Sequence, residues 1–165
     1  DERRLCTRLR DGREVVTSKA KTGERLNDIL NDLTGQDFDD VLLLCTGYFE
    51  NVNCKQPYIE SQRLVDGYVA AMSNGGRKIG IMVPVAEQMK EAKHHTDYDV
   101  SATAFASPYS DGNLRDAGAQ LADMDIIVMH CMGYSQSMRQ TVAQSSGRPV
   151  VLARDVVAAG IDQLI

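Results

Sequence analysis

The sequence has little of what marks several common classes of protein. No apolar run approaches the roughly 20 residues that cross a bilayer as a helix, and no signal peptide is visible. The 18 basic side chains are outnumbered by 23 acidic ones, giving a net charge of −5, and no basic cluster with interleaved aromatic residues stands out. These absences argue against membrane and nucleic-acid partners and predict a protein of the cytoplasm.

Metal-binding and disulfide patterns are also missing. The sequence has no Cys-x-x-Cys pair and no histidine placed at the spacing of zinc ligands, so we expect no metal. A chain of 165 residues, 43% of them apolar, can bury a core without disulfide bonds. We therefore predict free thiols at all four cysteines, Cys6, Cys45, Cys54 and Cys131. Cys6 and Cys54 are interpreted as incidental.

What the sequence does contain is one short pattern that occurs twice. Residues 41–45 and 125–130 are largely apolar, and both runs lead into Cys-x-Gly-Tyr, once as Cys45-Thr46-Gly47-Tyr48 and once as Cys131-Met132-Gly133-Tyr134. Each run predicts a buried strand that ends at a cysteine. The first is expected to be a central parallel strand covered on both faces.

Strands and helices alternate along the remaining sequence. The dipeptide Asp11-Gly12 predicts the tight turn of a charged β-hairpin within residues 6–17. Apolar periodicity predicts further strands at 78–84, 101–106 and 150–153, and helices at 22–35, 61–74, 87–94, 114–121, 135–145 and 156–164. Ser61 is predicted to cap the second helix. Such alternation is typical of an α/β fold with a parallel sheet and crossover helices on both faces.

The ends of the two cysteine strands can support chemistry. Ligands of parallel α/β sheets bind beyond the carboxyl ends of the strands, where Cys45 and Cys131 are expected to lie. A thiol suits proton transfer because nearby cations or N–H groups lower its pKa. The glycines that follow leave the backbone open to a carboxylate, and Thr46 and Ser107 offer hydroxyl donors.

A structural interpretation of the same residues stays open. Cysteine is among the most buried residue types, so a cysteine that ends an apolar strand is often a small core residue. Tyr48 and Tyr134 either line a pocket or fill the edge of the sheet. His130 is expected to lie away from the site, since it points to the opposite face of its strand from Cys131.

Six segments resemble the AroM family, and together they extend over essentially the whole chain. They are TRLRDGRE at 7–14, LLLCTG at 42–47, MVPVAEQ at 82–88, ASPY at 106–109, HCMGY at 130–134 and GRPVVLAR at 147–154. The name of the family refers to aromatic amino-acid biosynthesis. AroM proteins are in turn similar to the aspartate/glutamate/hydantoin racemase superfamily.

That second resemblance implies two pseudo-symmetric Rossmann-like lobes with mainly parallel sheets, no cofactor, and a site between the lobes with one catalytic cysteine from each. Cys45 and Cys131 match the two catalytic positions. The matched motifs imply substrate-binding residues at Thr46, Gly47, Tyr48, Pro84, Ser107, Tyr109, Met132, Gly133 and Tyr134. The racemases usually carry Thr-His after the second cysteine, where this chain has Met132-Gly133.

The resemblance also sets the expected organisation and function. Residues 1–76 form the first lobe and residues 77–165 the second, with the last helix packing back on the first. Family members begin with a strand that is expected to be missing here. The implied activity is a racemase- or isomerase-like proton transfer next to a carboxylate, and a homodimer is the family-level expectation. The alternative is a non-catalytic binding or regulatory protein for a small carboxylate metabolite.

Overall fold

The computed structural model describes residues 3–92, 98–110 and 112–164. The strands within these residues are β1 (Arg4–Arg8), β2 (Glu14–Ser18), β3 (Val41–Leu43), β4 (Tyr58–Glu60), β5 (Ile79–Val83), β6 (Val100–Phe105), β7 (Ile126–Met129) and β8 (Val150–Leu152). The helices are α1 (Lys19–Asp32), α2 (Ser61–Met72), α3 (Gln88–Glu91), α4 (Leu114–Gln120), α5 (Gln136–Ser146) and α6 (Ala153–Ile161). The helix predicted at 87–94 is observed at Gln88–Glu91. Residues 93 and 94 of the prediction lie outside the described part of the chain.

A four-stranded parallel sheet forms the centre of the molecule, in the order β6-β5-β7-β8. Successive side chains of β7 point to opposite faces. Ile127 and Met129 pack with residues of α4 and α5, whereas Ile126 and Val128 pack with residues of α2 and α6. This arrangement confirms the predicted α/β fold, with parallel strands and helices on both faces. It also fixes the carboxyl end of β7 firmly, because this strand is paired on both sides.

The first cysteine strand is less enclosed than predicted. β3 pairs in parallel with β4 in a separate two-stranded sheet, and Leu42 and Leu44 are 36% and 62% exposed. The expectation of a central strand covered on both faces was therefore wrong for these residues. β4 was missed altogether, because its three residues are too few to show an alternating pattern. The sheet directs β3 towards the same region as β7.

The start of α2 also differs from the prediction. Ser61 is the first helical residue rather than the cap, and Glu60 occupies the N-cap position, where its side chain accepts no capping hydrogen bond from a backbone amide of the helix. The Ser61 hydroxyl instead donates to the Leu43 carbonyl at 2.8 Å. This bond ties α2 to the strand that leads to Cys45.

The predicted hairpin is present, but its turn is longer than expected. β1 and β2 are antiparallel and end with Arg8 opposite Glu14, which leaves a five-residue loop. Gly12 has a positive φ of 90°, and the Leu9 amide donates to the Arg13 carbonyl at 2.9 Å, so three residues rather than two lie between the last bonded pair. Below we call β1 and β2 the N-terminal hairpin.

The last helix packs against the second one. A Cβ atom placed on Gly160 of α6 would lie 3.3 Å from Leu64 of α2, so the absence of a side chain permits the close approach. Val65 and Val69 of α2 share one core with Val157 of α6. None of the helices in the described part of the chain has the length and apolar character needed to span a membrane.

Candidate active site

A cavity of about 470 Å³ lies where the N-terminal hairpin, α1 and the ends of β3, β5 and β7 meet. Much of its wall is apolar, with side chains such as Leu5, Leu26, Leu43, Leu44, Phe49, Val83, Pro84, Ala92 and Met132. Its polar wall includes Cys6, Lys19, Cys45, Thr46, Gln62, Gln88, Glu91, Tyr109, His130 and Cys131. Both cysteines of the repeated pattern therefore face one space.

The repeated Cys-x-Gly pattern has the same local geometry in both places. The Gly47 amide donates to Cys45 Sγ at 3.3 Å, and the Gly133 amide donates to Cys131 Sγ at 3.4 Å. A backbone N–H two residues after each cysteine can thus stabilise a thiolate. At Gly133 there is no room for a side chain, since a Cβ atom would lie 2.5 Å from the Tyr109 hydroxyl oxygen.

Burial opposes ionisation of the first thiol. It raises the pKa of Cys45, while the Gly47 amide and the positive charge of Lys19 both act to lower it. Burial is the largest of the three effects, so Cys45 is predominantly a neutral thiol at neutral pH.

The second thiol is in a similar environment with a different donor. Burial raises the pKa of Cys131 to about 11, even though hydrogen bonds from the Gly133 amide and the Tyr109 hydroxyl lower it. The nearby Cys45 raises it further, because two thiolates in one cavity would repel each other. Burial also raises the pKa of Tyr109 to about 12, so this phenol remains protonated and able to donate.

One hydrogen bond joins the segment of the first cysteine to that of the second, and one ion pair joins helices α1 and α3 in the cavity wall. The Thr46 hydroxyl donates to the His130 carbonyl at 3.3 Å, which links the residue after Cys45 to the residue before Cys131. Lys19 Nζ lies 3.3 Å from Glu91 Oε2 in an ion pair whose side chains are only 10% and 23% exposed. The relative position of the two thiols is thus held by polar bonds as well as by packing.

The N-terminal hairpin closes one side of the cavity through a short hydrogen-bond chain. Glu14 Oε1 accepts from Cys6 Sγ at 3.0 Å and from the Ser107 hydroxyl at 2.8 Å. The Ser107 oxygen in turn accepts from the Tyr109 amide at 3.1 Å. Burial and the bond to Glu14 raise the pKa of Cys6 to about 12. This chain fixes the loop from which Tyr109 reaches Cys131.

A second polar chain lies behind the thiols, on α2. Gln62 Nε2 is 2.6 Å from Asp66 Oδ2 and 3.2 Å from His130 Nε2. Burial lowers the pKa of His130 to about 4, so its ring is neutral at neutral pH. The expectation that His130 lies away from the site was wrong, because the opposite face of β7 at this point meets α2 and the cavity wall.

The predicted substrate-binding residues divide into two groups. Seven of them line the cavity, namely Thr46, Gly47, Tyr48, Pro84, Tyr109, Met132 and Gly133. Tyr134 does not: it is 0% exposed, and its hydroxyl donates to the Ala106 carbonyl at 2.7 Å. Ser107 lies behind the wall, where it bonds to Glu14. The two alternatives left open for the tyrosines are therefore resolved differently: Tyr48 lines the cavity, and Tyr134 is buried at the edge of the sheet.

Several residues of the cavity wall were not predicted from the sequence. Cys6 was interpreted as incidental, yet it lines the cavity. Four other wall residues resemble ordinary polar residues of a helix surface: Lys19, Gln62, Gln88 and Glu91. They face the cavity because of how their helices pack against the rest of the molecule. A signal was available at Cys6 alone, since it is a polarisable side chain within a strand otherwise rich in arginine.

Comparison with solved structures identifies the fold. A double mutant of arylmalonate decarboxylase in its liganded form has a similar fold, with a TM-score of 0.63 and 15% sequence identity over 88% of this chain and 74% of that chain. Allantoin racemase from Pseudomonas fluorescens has a TM-score of 0.66 and 11% identity, over 89% of this chain and 70% of that chain. Glutamate racemase from Francisella tularensis with D-glutamate has a TM-score of 0.64 and 10% identity, over 95% of this chain and 67% of that chain. The chain therefore has the fold of the aspartate/glutamate racemase superfamily.

The sequence comparison places the chain more narrowly. The AroM protein family model matches residues 1–165, and the chain belongs to the AroM family. No curated protein matches the sequence significantly.

Proposed function

We propose that this AroM-family protein is a cofactor-independent, racemase- or isomerase-like enzyme that moves a proton at a carbon next to a carboxylate. The observation that carries the proposal is a matched pair of thiols in one cavity. Each thiol has two groups that favour its ionised form, the Gly47 amide and Lys19 at Cys45, and the Gly133 amide and the Tyr109 hydroxyl at Cys131.

The proposed step uses one thiol as the base and the other as the acid. The thiolate of one cysteine takes the proton from the carbon, so a C–H bond breaks and an S–H bond forms. The electron pair moves into the carboxylate, and the thiol of the other cysteine then returns a proton to the opposite face of the same carbon. Cys45 and Cys131 exchange these roles in the reverse direction. One forward turnover leaves the two thiols with exchanged protonation states, and a reverse turnover or proton exchange with solvent restores the starting state.

The surrounding residues suit the negative charge that builds on the carboxylate. Preorganised N–H and O–H donors at such a position contribute about 3–4 kcal/mol each to transition-state stabilisation. Lys19 lines the same cavity, and its ammonium group bonds to Glu91 through one of three hydrogens, which leaves donors for the carboxylate. The apolar side chains of the wall keep water away from the carbanion and accommodate an apolar substituent. Two of the solved structures that share the fold are named as racemases and one as a decarboxylase.

Solvent deuterium exchange tests the proposal directly. Amino acids, hydantoins and small dicarboxylates are incubated with the protein in deuterium oxide, and incorporation at the reacting carbon is followed by NMR. We expect exchange for at least one class, lost in Cys45→Ser and in Cys131→Ser. Cys54→Ser is the matched control, because Cys54 is a free cysteine outside the cavity wall. Exchange that survives both cavity substitutions, or no exchange across the panel, would reject the two-thiol mechanism.

The raised thiol pKa values favour a second candidate function. Since both thiols are predominantly protonated at neutral pH, the cavity can also serve a non-catalytic protein that binds a small carboxylate metabolite, including one of aromatic amino-acid biosynthesis. A thermal-shift screen separates the two functions. Stabilisation by a metabolite that is recovered without deuterium, and that persists in Cys131→Ser, supports binding without turnover.

A further inference from the structure

Gln62 lies in the cavity wall with both of its amide hydrogens used. It is only 5% exposed, and its Nε2 atom donates to Asp66 Oδ2 at 2.6 Å and contacts His130 Nε2 at 3.2 Å. Asp66 and His130 lie on different elements, α2 and the segment after β7. The side chain is therefore held from two directions.

These two partners also decide which way the amide faces. A carboxylate oxygen only accepts hydrogen bonds, so the atom against Asp66 Oδ2 has to be the amide nitrogen. His130 is neutral at neutral pH because burial lowers its pKa to about 4, and the contact with the Gln62 amide nitrogen assigns the tautomer in which Nε2 is the acceptor. A flipped amide would place its oxygen against Asp66 Oδ2, which is an acceptor, and lose that bond.

The carbonyl oxygen of Gln62 is left as an acceptor beside the thiols. No donor in residues 3–92, 98–110 or 112–164 bonds to Oε1, and this atom is not among the fully enclosed atoms without a partner. It therefore borders the open space of the cavity that Gln62 lines. His130, which holds the amide, directly precedes Cys131, and its carbonyl accepts from Thr46.

We propose that Gln62 is a specificity-determining residue, whose carbonyl oxygen accepts a hydrogen bond from an N–H or O–H group on the substrate next to the reacting carbon. The substrate class is then a carboxylic acid with a hydroxyl or amino-type substituent beside the carboxylate and an apolar group that fits the wall. A ligand with a methyl group at that position leaves a buried acceptor without a partner. This inference rests on the proposed function in taking the cavity as the substrate site.

The test compares ligands that differ only in the donor. Racemic mandelate carries a hydroxyl group, racemic 2-phenylpropionate has a methyl group in its place, and racemic 2-methoxyphenylacetate keeps the oxygen without the hydrogen. Calorimetric titration of the protein should give mandelate an affinity at least about fivefold above that of each other acid, the lower range for an unpaired buried acceptor. Weak binding of the methoxy acid to the unaltered protein would show that the donated hydrogen, and not the oxygen atom, is what Gln62 recognises.

Two variants locate the effect. Gln62→Met should reduce the ratio of mandelate to 2-phenylpropionate affinities by at least about fivefold while affinity for 2-phenylpropionate changes little. Gln88→Met is the matched control, because Gln88 also lines the cavity but donates to the Arg4 carbonyl at 2.8 Å, and it should keep the ratio. Equal affinities for the three acids, no binding of any of them, or an unchanged ratio in Gln62→Met would overturn the proposal.

The same titration separates this inference from the proposed function. Cys45→Ser, which should abolish deuterium exchange, is expected to retain the preference for mandelate, since binding requires no proton transfer. A preference that remains when no exchange is detected supports the role of Gln62 and rejects only the catalysis. Exchange without any preference rejects only the role of Gln62.

Discussion

Raising the pH from 8 to 10 should increase the rate at which iodoacetamide alkylates Cys131 by roughly 90-fold. Only the thiolate reacts, and burial holds the pKa of this thiol at about 11. The ionised fraction therefore grows almost tenfold for each unit of pH over this range. A free cysteine, with a pKa of about 8.5, is already partly ionised at pH 8, so its rate should rise only about fourfold.

The measurement needs residue resolution and an internal reference. The protein and glutathione are alkylated in the same tube, samples are quenched in acid, and the peptide that contains Cys131 is quantified by mass spectrometry after digestion. Circular dichroism at each pH shows that the fold is retained. Tyr109→Phe should slow the reaction of Cys131 further at every pH, because it removes a hydrogen bond that lowers the pKa of this thiol.

A fourfold rise at Cys131, parallel to that of glutathione, would refute the reasoning. It would mean that the thiol ionises as it does in water, so that burial is not the dominant influence on its pKa. A faster reaction in Tyr109→Phe would contradict the assigned direction of the hydrogen bond from the phenol to the sulfur.

Three further substitutions give distinct outcomes. Gly133→Ala should destabilise the protein by about 1–3 kcal/mol in urea unfolding and reduce deuterium exchange, because its Cβ atom would overlap with Tyr109. Tyr134→Phe should lower the free energy of unfolding by about 1–3 kcal/mol in the same assay, because the Ala106 carbonyl loses its hydrogen bond. Deuterium exchange into the substrate should be retained. His130→Gln should flatten the pH dependence of the free energy of unfolding. Burial lowers the His130 pKa to about 4 in the folded protein, so the neutral ring contributes fully to stability above pH about 6.5. That contribution falls by about 3 kcal/mol as the pH drops to 4. An unchanged acid profile in that variant would rule out His130 as its source.

The central sheet could be predicted because its strands are continuously apolar. Ile79–Val83 and Ile126–Met129 are buried on both faces, and such runs leave little choice between strand and surface segment. The smaller sheet was harder to predict. Residues 41–45 are as apolar as the central strands, but Leu42 and Leu44 are exposed. Composition alone does not distinguish a strand inside a sheet from one at its edge.

The thiol pair could be predicted because local sequence sets its geometry. In both copies the amide two residues after the cysteine reaches the sulfur, a contact that depends on the chain within three residues. The tyrosines that follow differ because their partners are distant: Tyr134 finds the Ala106 carbonyl, whereas Tyr48 is 41% exposed at the cavity mouth.

Gln62 and Lys19 could not be predicted as site residues for a related reason. Each occupies the first turns of a helix, where polar side chains usually face water. Their inward orientation depends on how α1 and α2 pack against the rest of the molecule. Lys19 is 9% exposed, and its partner Glu91 lies 72 positions later in the sequence.

The unequal pairing of β3 and β7 gives the two thiols different dynamics. Within the described residues β3 bonds to β4 alone, whereas β7 has a strand on either side. Local opening of β3 breaks fewer hydrogen bonds, so backbone amides near Cys45 should exchange with solvent faster than those near Cys131. Proton exchange between solvent and the thiol is therefore expected to be faster at Cys45 than at Cys131.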